Sequence, residues 1–320
     1  MALERVDERL INPPGEGDPG LYLDLVGLRG ALMFDIGDNA LPVSDLVRVR
    51  ALFVTHTHID HWIGFDRWLR CLLGAERAVH VYGPPGMSDF VRSRIHGYVW
   101  NLTFDAHLRF IVHELDGDAF NVTELSLEDR FRTVRDRGRS EPHRGVAHRG
   151  EGYRVEFAEM DHSTTCLGWA FVEDDKYRFD PARIAAAGLE PGPELAEMKR
   201  RFIAGEDALR AGTLGDFQTG RRITYITDTG FTPKSIDAAR RIGRDADILY
   251  CEATYPDDDL DKARAVHHLT GGQCGALAKA SGAKRLQPFH FSRRYAQDPS
   301  QILQDVEQGR SGRRDWLGGL

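Results

Sequence analysis

Residues 55–61 read Thr-His-Thr-His-Ile-Asp-His, which places three imidazoles and a carboxylate within the six positions from His56 to His61. Neutral imidazole and carboxylate are the ordinary nitrogen and oxygen ligands of zinc and similar divalent ions. The apolar run Ala51-Leu52-Phe53-Val54 just before them reads as a buried strand. Side chains two apart on an extended chain face the same way, so His56 and His58 can share one metal. Asp60 and His61 then fall on the turn that opens the next helix and can serve a second metal.

A two-metal site needs about seven protein ligands, one of them a carboxylate shared between the ions. Three further ligand types stand after apolar runs: His162 in Glu-Met-Asp-His-Ser, Asp228 in Tyr-Ile-Thr-Asp-Thr-Gly, and His290 in Pro-Phe-His-Phe-Ser. A single histidine at a strand end is more often a hydrogen-bonded structural residue. With the first cluster, in this order, the three complete a ligand set.

The elements that must deliver these groups are short and apolar. Residues 21–26 and 31–34 read as an early hairpin, and 49–54 leads into the histidine cluster. Trp62, Phe65, Trp68, Leu69 and Leu72 follow helical spacing and bury one face. Residues 79–82 form a strand stopped by Gly83-Pro84-Pro85-Gly86, and a helix follows over 87–95. Later strands are expected at 153–159, 167–172, 223–227, 248–250 and 285–289, four of them leading directly to Asp161-His162, Asp228, Glu252 or His290. Sites in layered α/β proteins form where strand ends converge on one edge. The expected fold is therefore an α/β architecture: an αβ/βα sandwich of two mixed sheets flanked by helices, in a single domain over 1–320.

The pattern His-x-His-x-Asp-His, with Gly64 three residues beyond, is that of the metallo-β-lactamase fold superfamily, and the chain resembles its ribonuclease Z family, the tRNA 3′-end endonucleases. His162-Ser-Thr-Thr-Cys-Leu-Gly-Trp169 resembles the family's histidine before a Leu-Gly-aromatic strand. Phe179-Asp180-Pro181 through Gly188-Leu189-Glu190-Pro191-Gly192-Pro193 resembles its glycine- and proline-rich arm, so residues 174–221 are expected to form an arm-like insertion. Glu252-Ala-Thr-Tyr, His268-Leu-Thr and His290-Phe-Ser-Arg-Arg-Tyr295 resemble three further signatures in the right succession.

The resemblance implies that His56, His58 and His162 hold one metal, that Asp60, His61 and His290 hold the other, and that Asp228 lies between them. It also implies a catalytic role for His268, with His267 as the competing assignment. Asp60 is both a ligand and the acceptor of the nucleophilic water's proton, and His268 is suited to protonating the leaving oxygen. Glu252 is expected to orient His268. Ser292, Arg293 and Arg294 are expected to bind substrate, with a surface salt bridge as the competing role for the arginines. The implied cofactors are two divalent ions, zinc by ligand type, with manganese or iron chemically admissible. The implied activity is phosphodiester hydrolysis on RNA, as in tRNA 3′ processing. The alternatives are a hydrolase of the same fold acting on a cyclic nucleotide, a sulfate ester or a lactone, with the patch from Gly97 to Leu102 walling a small pocket, and a scaffold without activity.

The chain has 320 residues, 41% of them apolar, enough for a sizeable core. Its net charge of −7 excludes coating of nucleic acid by bulk charge and leaves local basic patches open. Residues 130–149 hold seven arginines against Asp136 and Glu141, read either as an RNA contact or as a solvated, mobile loop. Acidic and basic groups nearly balance over 174–221. Cys71, Cys166, Cys251 and Cys274 are scattered, which fits reduced thiols rather than a disulfide framework. With no signal-peptide core at the N-terminus and no run of transmembrane length, a cytoplasmic protein without membrane association is expected. The family resemblance implies a homodimer.

Overall fold

The computed structural model describes residues 3–101, 107–141, 145–314 and 316. Strands β1 (Arg5–Leu10), β2 (Leu21–Val26), β3 (Gly30–Phe34), β4 (Val49–Phe53), β5 (Ala78–Gly83), β6 (Arg109–Asp116), β7 (Ala119–Ser126) and β8 (Arg135–Ser140) form one sheet in chain order. β9 (Val146–Gly150), β10 (Tyr153–Met160) and β11 (Cys166–Glu173) join β14 (Arg222–Ile226), β15 (Ile248–Glu252) and β16 (Leu286–Phe289) in a second sheet, ordered β16-β15-β14-β11-β10-β9. β12 (Lys176–Phe179) and β13 (Gly215–Gln218) pair with each other alone. β3 to β6 run parallel, as do β14 to β16, and the other pairings are antiparallel.

The helices in chain order are α1 (Val43–Leu46), α2 (Ile59–Trp62), α3 (Phe65–Leu72), α4 (Met87–His96), α5 (Pro181–Ala186), α6 (Pro193–Ile203), α7 (Ala208–Leu214), α8 (Pro233–Ile242), α9 (Leu260–Ala265), α10 (Gly271–Ser281) and α11 (Ser300–Ser311). The strand period of two splits the apolar residues between layers. Along β3, Leu32 and Phe34 face the second sheet, where they meet Trp169, Tyr225 and Phe289. Ala31 and Met33 face outward onto a core completed by Phe65, Trp68 and Leu72 of α3 and by Val91 and Ile95 of α4. The second sheet buries its outer face, including Ala170 and Leu249, under Ile236 and Ile242 of α8, Leu277 of α10 and Val306 of α11. Three stacked cores therefore make the expected αβ/βα sandwich.

Much of the described part of the arginine-rich stretch is strand, while Arg130 and Arg132 lie in the turn before it. Arg135 to Ser140 is the edge strand β8, and its arginines meet acids on β7, at the end of β6 and in the turn after β7. Arg135 pairs with Asp129 at 2.9 Å, Arg137 with Glu124 at 2.6 Å, and Arg139 with Asp116 at 2.9 Å. Opposite charges facing each other across a ladder stabilise a strand that has no apolar face. Arg144 lies outside the described residues.

Residues 174–221 leave the second sheet after β11 and return to it at β14. They carry β12, α5, α6, α7 and β13 around a small core of their own, made by Tyr177, Ile184, Met198, Phe202, Ala211 and Leu214. Asp180 caps α5 by accepting from the backbone N–H groups of Ala182 and Arg183 at 2.8 and 3.1 Å. Among the described residues, no helix is long and apolar enough to cross a membrane.

Candidate metal centre

Every predicted ligand stands just past the end of a strand or on the turn that follows one. β4 delivers Thr55 and His56, and α2 carries Asp60 and His61. This turn lies against the segment after β3, where the Gly64 N–H donates to the Ile36 carbonyl at 2.8 Å. A Cβ on Gly64 would stand 2.3 Å from the Gly37 carbonyl oxygen, so the close approach requires glycine there. β10 leads to His162, β14 to Asp228, β15 ends on Glu252, and β16 leads to His290.

The structure brings all seven predicted ligands together. His56, His58, His162 and Asp228 present ligand atoms within 4.8 Å of one another, and Asp60, His61 and His290 do the same. Asp228 faces both groups. Its Oδ2 lies 3.5 Å from His56 Nε2 and 3.8 Å from His162 Nε2. Its Oδ1 lies 3.4 Å from His61 Nε2 and 3.1 Å from His290 Nδ1. Asp60 Oδ2 is 3.5 Å from His61 Nε2 and 3.3 Å from His290 Nε2.

Four of these nitrogens carry the diagnostic observation. His56 Nε2, His61 Nε2, His162 Nε2 and His290 Nδ1 are buried with no hydrogen-bond partner among the described residues. A buried polar atom left unpaired is costly, and four on one spot call for a common partner. The donor set of imidazole nitrogen and carboxylate oxygen suits divalent ions. The opposite nitrogens are fixed, which is how a ligating imidazole is oriented. His162 Nδ1 donates to the His267 carbonyl at 2.9 Å, His61 Nδ1 meets Asp35 Oδ2 at 2.8 Å, and His56 Nδ1 lies 3.1 Å from Thr55 Oγ1.

The electrostatics agree. Burial opposes charge on Asp228, yet His290 and His61 outweigh it and hold the carboxyl well below its usual range. Burial likewise opposes charge on His61, but Asp228 and Asp35 lift its pKa to about 10. His56 is pushed down to about 2 by burial first and then by the neighbouring His61. The carboxylates thus draw positive charge to a site whose floor, His56, His61 and Asp228, is buried while His58 and Asp60 stand at its open side.

Asp35 was not among the residues singled out from sequence. It is fully buried in left-handed backbone (φ +53°) just past β3. It accepts from the Thr55 N–H at 2.7 Å, from the Thr55 hydroxyl at 2.8 Å and from the Tyr225 hydroxyl at 3.2 Å. The available signal was the one that marked the other residues, a carboxylate immediately after an apolar strand.

His268 and His267 take different positions. His268 faces the cluster, with Nε2 3.7 Å from Asp228 Oδ2 and Nδ1 2.9 Å from Glu252 Oε2. His267 is exposed and contributes its backbone carbonyl to His162. Glu252 is fully buried and accepts from the Thr229 N–H at 2.7 Å and from the Thr254 hydroxyl. Burial opposes charge on His268, but Glu252 raises its pKa above the ordinary value.

Ser292 is tied by its N–H to the Thr254 carbonyl at 3.0 Å. Arg293 and Arg294 are exposed, and neither forms an ion pair among the described residues, so the salt-bridge reading does not hold. The hollows beside Tyr98, Val99 and Trp100 contain none of the cluster residues, and Leu102 lies outside the described residues.

A two-sheet sandwich with a histidine and aspartate cluster at its strand ends defines a metallo-β-lactamase-fold protein. Its backbone matches YhfI, a metallo-β-lactamase fold protein of Bacillus subtilis, with a TM-score of 0.54 and 12% identity over 96% of this chain and 92% of that one. It matches the short form of human tRNase Z with a TM-score of 0.54 and 20% identity over 90% of this chain and 93% of that one. No protein-family model matches the chain. A ribonuclease Z of Deinococcus radiodurans is 34% identical over 278 residues, 82% of this chain and 83% of the relative. The chain belongs to the ribonuclease Z family.

Proposed function

We propose that the protein is a two-metal phosphodiesterase of RNA that cuts precursor tRNA at its 3′ end. The observation that supports this most is Asp228, which offers one oxygen to each of two imidazole groups whose free nitrogens are otherwise unpaired, in a chain of the ribonuclease Z family. In this reading His56, His58 and His162 would hold one ion and Asp60, His61 and His290 the other, with Asp228 available to both. Zinc fits these donors best, and manganese or iron is chemically admissible.

When bound, such ions supply a water acidified to near neutrality and neutralise charge on the phosphoryl oxygens. The remaining work falls to the chain. Asp60 accepts the proton of the attacking water. His268, kept in one tautomer and orientation by Glu252, delivers a proton to the departing ribose oxygen as its bond to phosphorus breaks. Arg293 and Arg294, free of ion pairs, bind phosphates next to the scissile one, with Ser292 beside them. The segment 174–221 is an insertion within one domain over 1–320 and grips the body of the tRNA. The protein acts as a homodimer in the cytoplasm, in keeping with four free thiols.

The test is cleavage of a precursor tRNA next to its discriminator base, with chelation and restoration by added zinc or manganese. Asp228→Asn should abolish cleavage. An enzyme that hydrolyses bis-p-nitrophenyl phosphate but leaves precursor tRNA intact at micromolar concentration would instead be a small-molecule hydrolase, the alternative that family membership does not favour.

A further inference from the structure

An RNA substrate brings many negative charges to a protein whose own net charge is −7. Affinity for RNA backbone requires local cations that neutralise phosphates. Two of the basic features are already spent. The arginines of β8 are paired with Asp129, Glu124 and Asp116, and the charges of 174–221 nearly cancel.

The outer face of the second sheet holds a different arrangement. A cleft of about 410 Å³ lies between β10, β14 and the C-terminal end of α8, lined by Arg154, Arg222, Arg240, Arg241 and Arg244 against only Glu156 and Asp237. Glu156 is taken up by Arg154 at 2.7 Å and Arg222 at 2.8 Å. Arg222 is further pinned to the Ile242 carbonyl at 2.9 Å, and Arg154 also faces Asp174 at 3.7 Å. Asp237 meets Arg240 at 3.3 Å. Arg241 and Arg244 are exposed, and neither has a carboxylate partner among the described residues. Basic groups in the last turn of α8 do favour its dipole, but Arg244 lies beyond the helix, and the dipole does not call for Arg154 and Arg222 on the strands.

We propose that this cleft is an RNA-backbone site remote from the cluster, with Arg241 and Arg244 as its phosphate contacts and the Glu156-centred pairs as its rigid floor. It rests on the RNA-processing reading above and adds where the substrate's body is held. β10 runs from the cleft to His162, and its eight residues span roughly 26 Å at about 3.3 Å each. The cleft also adjoins the root of the 174–221 excursion through Asp174. An RNA whose 3′ end sits at the cluster therefore meets a second grip well away from the bond that is cut.

The test compares full-length wild type with Arg241→Ala/Arg244→Ala and Arg241→Lys/Arg244→Lys. Binding of fluorescein-labelled precursor tRNA is followed by anisotropy across a salt series, and cleavage is measured in parallel. The alanine pair should weaken binding about tenfold and flatten the log-log salt slope by about 2, one unit for each lost phosphate contact. The lysine pair should recover most of both, which separates charge from misfolding. Wild type that cleaves tRNA while the alanine pair binds with unchanged affinity and slope overturns the cleft alone. Wild type that neither binds nor cleaves the RNA overturns the cleft together with the reading beneath it. Loss that lysine does not repair assigns Arg241 and Arg244 a structural role and also overturns it.

Discussion

His61 shows how a ligand is made from more than its own chemistry. Its Nε2 looks into the cluster while Nδ1 is bound to Asp35, itself fixed by Thr55 and Tyr225. Asp35→Asn keeps the shape but removes the negative charge that fixes the tautomer. Metal affinity should then fall about 10- to 100-fold, because partners of a ligating imidazole carry that much. Competition with a chromophoric chelator measures it, and unchanged affinity would mean that Asp35 serves packing alone. His56, His58, Asp60 and His61 were legible in the sequence from their His-x-His-x-Asp-His spacing, and His162, Asp228 and His290 from their places just past apolar strands. Asp35 has the same placement, but its partners are side chains brought together only by folding, and no spacing announces them.

At the scale of elements, the strands that lead to the cluster were read from the sequence, including the edge strand β16, but β6 and β7 were passed over despite their buried apolar residues, as were the charged edge strands β1 and β8. β8, Arg-Asp-Arg-Gly-Arg-Ser, has no apolar alternation, and β1 is charged at four of six positions. Charged edges protect sheets from pairing with other chains, and the same charges erase the strand signal. Further in, β5, β6 and β9 bring His80, His113 and His148 together with Tyr82 and Tyr153. His80 Nδ1 lies 3.0 Å from His113 Nε2, and His148 lies 3.0 Å from the Tyr82 hydroxyl and 3.3 Å from that of Tyr153.

Burial lowers the pKa of all three histidines, His113 to about 3 and His148 to about 4. The unfolded chain takes these protons first, near pH 6.5, so the stability is full above that pH and is lost as pH falls toward 4. Urea unfolding between about pH 7 and pH 5 should show this fall, and His113→Gln/His148→Gln should flatten it. A slope unchanged by the double variant counts against the cluster. The excursion offers another element-scale test. Removing residues 176–218 and closing the chain with a short glycine linker should abolish cleavage of precursor tRNA and spare hydrolysis of bis-p-nitrophenyl phosphate. Equal loss of both would mean that the segment supports the fold itself.

On the scale of the whole molecule, the cluster sits where two sheets and their flanking helices meet, so ligands from β4, α2, β10, β14 and β16 are tied by whatever binds them. An ion that binds only the folded state stabilises it by mass action. Chelation should therefore lower the melting temperature by roughly 5–10 °C, and stoichiometric zinc should restore it. A melting curve indifferent to chelator would count against two resident ions.

The excursion over 174–221 leaves and re-enters at neighbouring points. A Cβ on Gly220 would stand 2.0 Å from the Glu173 carbonyl oxygen, and the Gly220 N–H donates to Asp175 at 2.8 Å. Its helices pack on a core that shares no residue with the sandwich. A cassette with touching feet is a natural graft point. Lineages and protein engineers alike can lengthen, trim or exchange it without shifting the register of β11 and β14, so the choice of RNA can evolve on a different clock from the chemistry that cuts it.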